Sequence, residues 1–175
     1  MMNSQLINLL GALSLALADA QLQAVQTSSG IGTAGCATLV ALGHHPNLTI
    51  REIATIAGLS HSVMVRTVEA LVNAGLVIKT PGKDRREVTS RLTPEGKRLR
   101  DKLIDAREVV LKNALENLSP PDQKVLHRLV SEMLENMTLD RNQSDHLCRL
   151  CDETGCGLNC PVEMKVLQIE IGNQR

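Results

Sequence analysis

The stretch LTIREIATIAGLSHSVMVRTVEALVNAGLV, residues 48–77, decides the fold. Thr49 followed three residues later by Glu52 is the spacing of a capping box, which opens a helix. That helix carries Ile50, Ile53 and Ile56 and ends at Gly58. Ala57-Gly58-Leu59-Ser60 is a tight joint: glycine supplies the backbone freedom, and Leu59 is expected to plug the helix–helix junction. Ser60 caps a second helix that runs to about Asn73 and stops at Ala74-Gly75. Met64, Val68, Leu71 and Val72 form its inner stripe, at i, i+4, i+7 and i+8. Ser60, His61, Ser62, Val63, Arg66 and Thr67 are left for the outer face. Short polar residues in a first helical turn let the backbone approach phosphate, and the free N–H groups there favour an anion. Arg66 can reach a base edge or a phosphate, as in a recognition helix lying in the major groove.

Downstream, Leu76 to Thr80 and Glu87 to Leu92 read as two strands around a charged turn, Pro81-Gly82-Lys83-Asp84-Arg85-Arg86. This is a β-hairpin wing. Arg85 and Arg86 at its tip can enter a minor groove or clamp phosphates, with Asp84 pairing to an arginine and fixing its direction. Charge follows the same plan. Net charge is zero over 175 residues, but residues 1–50 hold no Lys or Arg, residues 51–102 carry a net +5, and residues 103–175 a net −4. A basic middle between neutral and acidic flanks is a local anion-binding surface.

Upstream, Leu6, Leu9, Leu10, Leu13, Leu17 and Ala20 recur at helical spacing, predicting an amphipathic helix from Ser4 to Gln26. A Gly- and Ser-rich break, Ser28 to Gly32, precedes a short helix from Thr33 to Leu42. Ala18-Asp19-Ala20 imitates a signal cleavage site, but no basic residue precedes Arg51, so a helix is expected there and not a leader. The run is broken by Asn8 and Ser14, and no membrane span is expected. The expected compartment is the cytoplasm, where thiols stay reduced. Phe, Tyr and Trp are all absent. This argues against base-stacking single-strand binders and aromatic cation cages. It also leaves a core of aliphatic residues and Met, which favours helices. Cys36, in an apolar helix, is expected to pack in that core.

After the wing, Thr93-Pro94-Glu95 opens a helix to about Asn117, and Ser119-Pro120-Pro121-Asp122 opens another carrying Val125, Leu126, Leu129, Val130, Met133, Leu134 and Met137. Val162 to Ile171 is partly apolar and fits helix or strand.

The pieces Leu48-Thr49-Ile50-Arg51-Glu52-Ile53-Ala54, Gly58-Leu59-Ser60-His61-Ser62, Arg66-Thr67-Val68-Glu69-Ala70-Leu71, Ala74-Gly75-Leu76-Val77, Asp84-Arg85-Arg86 and Leu92-Thr93-Pro94-Glu95-Gly96 stand in this order. Together they resemble the MarR family of bacterial winged helix–turn–helix transcription regulators, over roughly Leu6 to Met137. The resemblance implies a homodimer built from the N-terminal and two late helices. It implies binding of double-stranded DNA at a pseudo-palindromic operator, usually as a repressor. It carries a DNA-contact role onto Ser60, Ser62, Arg66, Arg85 and Arg86. A small-molecule or metal effector is part of the same expectation. The missing aromatics depart from the many family members that use them around a small-molecule pocket.

The fold class that follows is mainly α with a small β-hairpin wing: a winged helix–turn–helix domain plus a helical dimerisation region. The expected divisions are a dimerisation helix (1–32), the winged helix–turn–helix (33–92), further dimerisation helices (93–142) and a cysteine-rich tail (143–175).

That tail holds four of the five cysteines in thirteen residues: Cys148-x2-Cys151-x4-Cys156-x3-Cys160, then Pro161. In a reducing compartment this spacing points to metal before disulfides. Four thiolates complete a tetrahedral zinc shell, in the manner of a zinc knuckle with Cys156 in the histidine place. The ending Cys-x3-Cys-Pro is also that of an iron–sulfur run, although the middle spacer of four departs from it. Zinc, an iron–sulfur cluster and bare thiols all remain open. Asp152 and His146 are spare ligands, with His146 expected to be exposed. The segment is expected to be an appendage that acts as a structural clamp or as a metal or redox sensor.

No nucleophile–base pair, P-loop or dinucleotide fingerprint is present, so no enzyme is expected. Two readings of function stand. One is a DNA-binding transcription regulator, gated by the metal or redox state of the tail. The other is a winged-helix protein-interaction module with a metal-stabilised docking tail.

Overall fold

The computed structural model describes residues 3–82 and 87–173. The chain is mainly helical around one small sheet. Helix α1 (Ser4–Ser29) is closed by Gly30 in the left-handed conformation (φ 69°), so it takes in the first two residues of the stretch expected as a break. Helix α2 (Thr33–His44) is the buried centre: Gly35 through Leu42 are all inaccessible, and Cys36 among them is fully buried beside Ser29. Burial also pushes the Cys36 thiol pKa up.

Strand β1 (Leu48–Thr49) leads directly into α3 (Ile50–Ala57), then α4 (His61–Asn73), β2 (Val77–Pro81) and β3 (Val88–Leu92). The sheet order is β1-β3-β2, all antiparallel, with Val77 opposite Leu92 and Leu48 opposite Ser90. The wing is therefore three-stranded. The two-residue β1 is too short to carry an alternation that a sequence pattern could reveal.

Helix α5 (Pro94–Leu115) starts against the wing. The Thr93 amide donates to Leu76 O at 3.0 Å, and the Thr93 hydroxyl donates to Gly75 O at 2.7 Å. A Cβ on Gly96 would sit 2.0 Å from Leu76 O, so only glycine permits this approach of helix to strand. Further on, α5 packs along α1, where Arg107 Nε donates to Gln21 Oε1 at 2.9 Å. The core joins Val25, Leu39, Leu42, Ile53, Met64, Val68, Leu71, Val77 and Leu103 from both helical layers and the sheet.

The C-terminal residues are not an appendage. After α6 (Pro120–Met137), α7 (Arg141–Leu147) packs on α3, and α9 (Pro161–Gly172) packs on α6 and α7. Val162–Ile171, which fitted either element, is helical: Pro161 occupies the first turn, and Val162 and Val166 are buried. Arg141 ties the two helices together, donating to Glu163 Oε2 at 2.6 Å and Glu170 Oε1 at 3.0 Å. Between them lie the four-residue α8 (Glu153–Cys156) and a 3₁₀ turn, Gly157–Asn159.

Two surfaces stand uncovered. On α1, Leu6, Ile7, Leu9 and Leu13 are each at least half exposed, and on α6 so are Val125 and Met137. An 18-residue window of α1 has a mean hydropathy of 1.3, enough by length and composition to cross a membrane. The run is still interrupted at Asn8 and Ser14, and the same length and composition occur in helices of soluble proteins.

Candidate nucleic-acid interface and cysteine tail

The helix–turn–helix is held by its caps. The Thr49 amide donates to Glu52 Oε2 at 2.7 Å while the Glu52 amide donates back to Thr49 Oγ1 at 3.3 Å, so the capping box is formed. Gly58 turns the chain in the left-handed conformation (φ 66°), and its amide donates to Thr55 O at 3.1 Å. Ser60 Oγ then accepts from the Val63 amide at 3.4 Å and opens α4.

On α4, Met64, Val68 and Leu71 are buried as the stripe predicts. Ser60, His61, Ser62 and Arg66 are exposed on the opposite face. Val63 and Thr67 are only half-exposed, and the Thr67 hydroxyl is turned back to Val63 O at 3.0 Å. The presented face is therefore narrower than expected, centred on the first turn and Arg66. No acidic side chain lies between Ser60 and Val68. The exposed first turn offers hydroxyls and an imidazole, with its amides directed outward past the cap.

Leu59 does not plug the junction. It is 38% exposed and lines a shallow pocket with Leu22, Ala37, His146 and Leu150. The junction is covered instead by His146, whose Nδ1–H donates to Ile56 O at 2.9 Å and whose ring lies over Gly58. His146 is thus half-buried and engaged, not exposed as its neighbours in sequence imply. The wing strands are in register, but Arg85 and Arg86, with Lys83 and Asp84, lie outside the described residues.

The cysteine segment leans on the body through polar contacts. His44 Nε2–H donates to Cys151 O at 2.9 Å, which leaves the other ring nitrogen to face Arg100 Nη2 at 3.4 Å. Arg107 Nη2 lies 3.9 Å from Cys151 Sγ. Glu153 faces His45 at 3.2 Å. Interaction with the Cys148 thiol brings the Cys151 pKa down to about 6 against burial, and Arg107 adds to the lowering. The same interaction and burial push Cys148 up, and burial pushes Cys156 up. Cys156 is exposed, and Cys148, Cys151 and Cys160 are half-buried. Among the described residues, no three His, Cys, Asp or Glu side chains stand in an arrangement ready to hold a metal ion. The segment brings the four thiols into each other's field without closing them on one point.

Sequence reasoning missed the tail-to-body contacts of His44 and His146. Each is a single polar residue whose partner is about a hundred positions away, and no periodicity signals such a pair.

Residues 29–87 match the model of the MarR family. No curated protein sequence matches the chain. Among solved structures, a MarR family protein from Bacillus stearothermophilus superposes with a TM-score of 0.69 at 25% identity, covering 78% of this chain and 99% of that one. RV1404 from Mycobacterium tuberculosis superposes with a TM-score of 0.67 at 24% identity, covering 77% and 94%. Wild-type MarR from E. coli, in its apo form, gives 0.60 at 19% identity, covering 71% and 96%. MarR-family regulators are generally not enzymes. The matched segment is similar to the MarR family, and the fold around it is that of solved MarR-family proteins.

Proposed function

We propose that the protein is a sequence-specific regulator of transcription that binds double-stranded DNA as a homodimer on a pseudo-palindromic operator, as a repressor. The carrying observation is the α4 face: a Ser60-capped, acid-free first turn with His61, Ser62 and Arg66 exposed over a buried Met64–Val68–Leu71 stripe. Val63 and Thr67 flank that face at the groove walls, and Arg85 and Arg86 supply the wing contacts.

The second copy is the occupant we assign to the exposed faces of α1 and α6. An α1 that stays soluble must cover its apolar stripe, and an isologous interface covers both stripes at once. Family members act as dimers, bind DNA and are typically soluble cytoplasmic proteins; the cytoplasm is the compartment we propose. The gating input is the metal or redox state of Cys148, Cys151, Cys156 and Cys160, ahead of an organic small molecule.

A gel shift with DNA from the chain's own promoter region, repeated across salt concentrations, tests the reading. Binding should weaken steeply with salt, and Arg85→Ala should flatten the log–log slope by about one unit. Binding that is absent, or equally tight on unrelated DNA, would overturn it in favour of a winged-helix interaction module.

A further inference from the structure

We infer that Cys148, Cys151, Cys156 and Cys160 are the ligands of a tetrathiolate zinc site, seated against α2 and α5 and closed by the metal itself. Each cysteine pair is set on a turn of its own. The Cys151 amide donates to Cys148 O at 2.8 Å, which folds Cys148-x2-Cys151 into a tight turn, and the two thiols interact with each other. Cys156 and Cys160 are brought together by Gly157, whose φ of 64° and ψ of −162° form a conformation essentially confined to glycine. A reversal needing glycine between two cysteines has no use in a solvated linker. It does serve a chelating pair.

The surroundings suit a negative centre. Four thiolates around Zn²⁺ carry a net charge of −2, which must be offset when half-buried. Arg107 lies 3.9 Å from Cys151 Sγ. Cys160 is the residue at the N-terminus of α9, a twelve-residue helix with Pro161 in its first turn, where the dipole favours a thiolate. Asp152 and Glu153 oppose this, but each is already engaged, Asp152 with the Thr154 amide at 3.2 Å and Glu153 with His45.

The two pairs do not yet close on one point. The two cysteine pairs are separated only by α8, a single helical turn with every residue from Glu153 to Cys156 exposed. Moving that turn disturbs no core residue. Binding joins four sulfurs to zinc, and each cysteine still in the thiol form gives up its S–H bond for an S–Zn bond and releases its proton to solvent. Zinc is favoured over an iron–sulfur cluster because the x4 spacer departs from the cluster-binding run.

The site does not depend on the DNA reading, and its test does not use DNA. The full-length chain, purified without oxygen or chelator, is assayed for metal and for acid-labile sulfide, then stripped and titrated with Zn²⁺ alone and with Co²⁺ alone. With no Phe, Tyr or Trp, the chain is nearly dark in the near ultraviolet, so thiolate-to-cobalt bands stand out. We expect one zinc per chain and a tetrahedral, sulfur-rich cobalt spectrum. Cys151→Ser and the double variant Cys156→Ser/Cys160→Ser should each weaken zinc by more than about 100-fold, beyond the range for second-shell changes. Cys36→Ser should leave the stoichiometry unchanged, and unchanged far-ultraviolet dichroism would show that the variants fold. No zinc or cobalt bound by the wild type overturns the site. So does binding that survives the double variant, or iron with sulfide in the purified chain.

Discussion

The helix–turn–helix and the cysteine segment are specified in opposite ways. From Thr49 to Ala74 each boundary is set by residues within four positions of it: a reciprocal capping box, a left-handed Gly58, a serine cap. From Cys148 to Cys160 the local elements are one helical turn and one 3₁₀ turn, and position is set from a distance, by His44, His146 and Arg107. The first region is bounded by its own local signals, with only its turn covered from the tail by His146. The second takes its shape from what it touches, so a ligand can change it. A reader head should be rigid, and a sensor should be the low-stability part of a molecule.

If that contrast is right, the largest effect should come from the wing junction. Gly96→Ala places a methyl on the Leu76 carbonyl, where backbone and not a flexible side chain must yield. We expect a loss of about 3 kcal/mol or more in urea unfolding. A loss under about 1 kcal/mol would mean that this junction is as pliable as the tail. The next effect separates assembly from reading. Leu9→Glu with Leu13→Glu puts charge on the exposed stripe of α1, and the sedimenting mass should fall from twice 19.0 kDa to one chain. A mass that does not change would remove α1 from the dimer. Arg66→Ala then tests the reader alone: operator affinity should fall by about 1–3 kcal/mol with unchanged unfolding, because the side chain is exposed and packs nothing.

The same contrast explains what the sequence could reveal. Thr49, Ser60, Gly58 and the Met64–Val68–Leu71 stripe act locally, and patterns of three to eight residues capture local action. The helices, wing strands and family likeness followed from them. β1 was lost because two residues carry no period. Leu59 was misplaced because an apolar residue in a turn has no intrinsic direction, and His146 from the tail already covers the joint. The last helix was ambiguous because Val166, Ile169 and Ile171 fit a strand as well as a helix; Pro161 and the buried Val162 and Val166 decide it. The outer face of α4 was readable as a set of positions but not as a surface, since the half-burial of Val63 and Thr67 depends on how α4 sits in the domain.

The smallest effect is the most informative about how the two regions communicate. The His146 side chain makes one hydrogen bond, to Ile56 O, one residue before the last of α3, and its ring covers Gly58 in the turn between α3 and α4. His146→Ala removes one neutral hydrogen bond and should cost about 1 kcal/mol of stability. If the tail only clamps the fold, operator affinity should follow stability and stay within twofold of the wild type. If the tail sets the turn, zinc or chelator should shift operator affinity in the wild type and not in His146→Ala, while both bind the same amount of metal. The second outcome would make this histidine the residue through which the cysteine segment acts on the recognition helix.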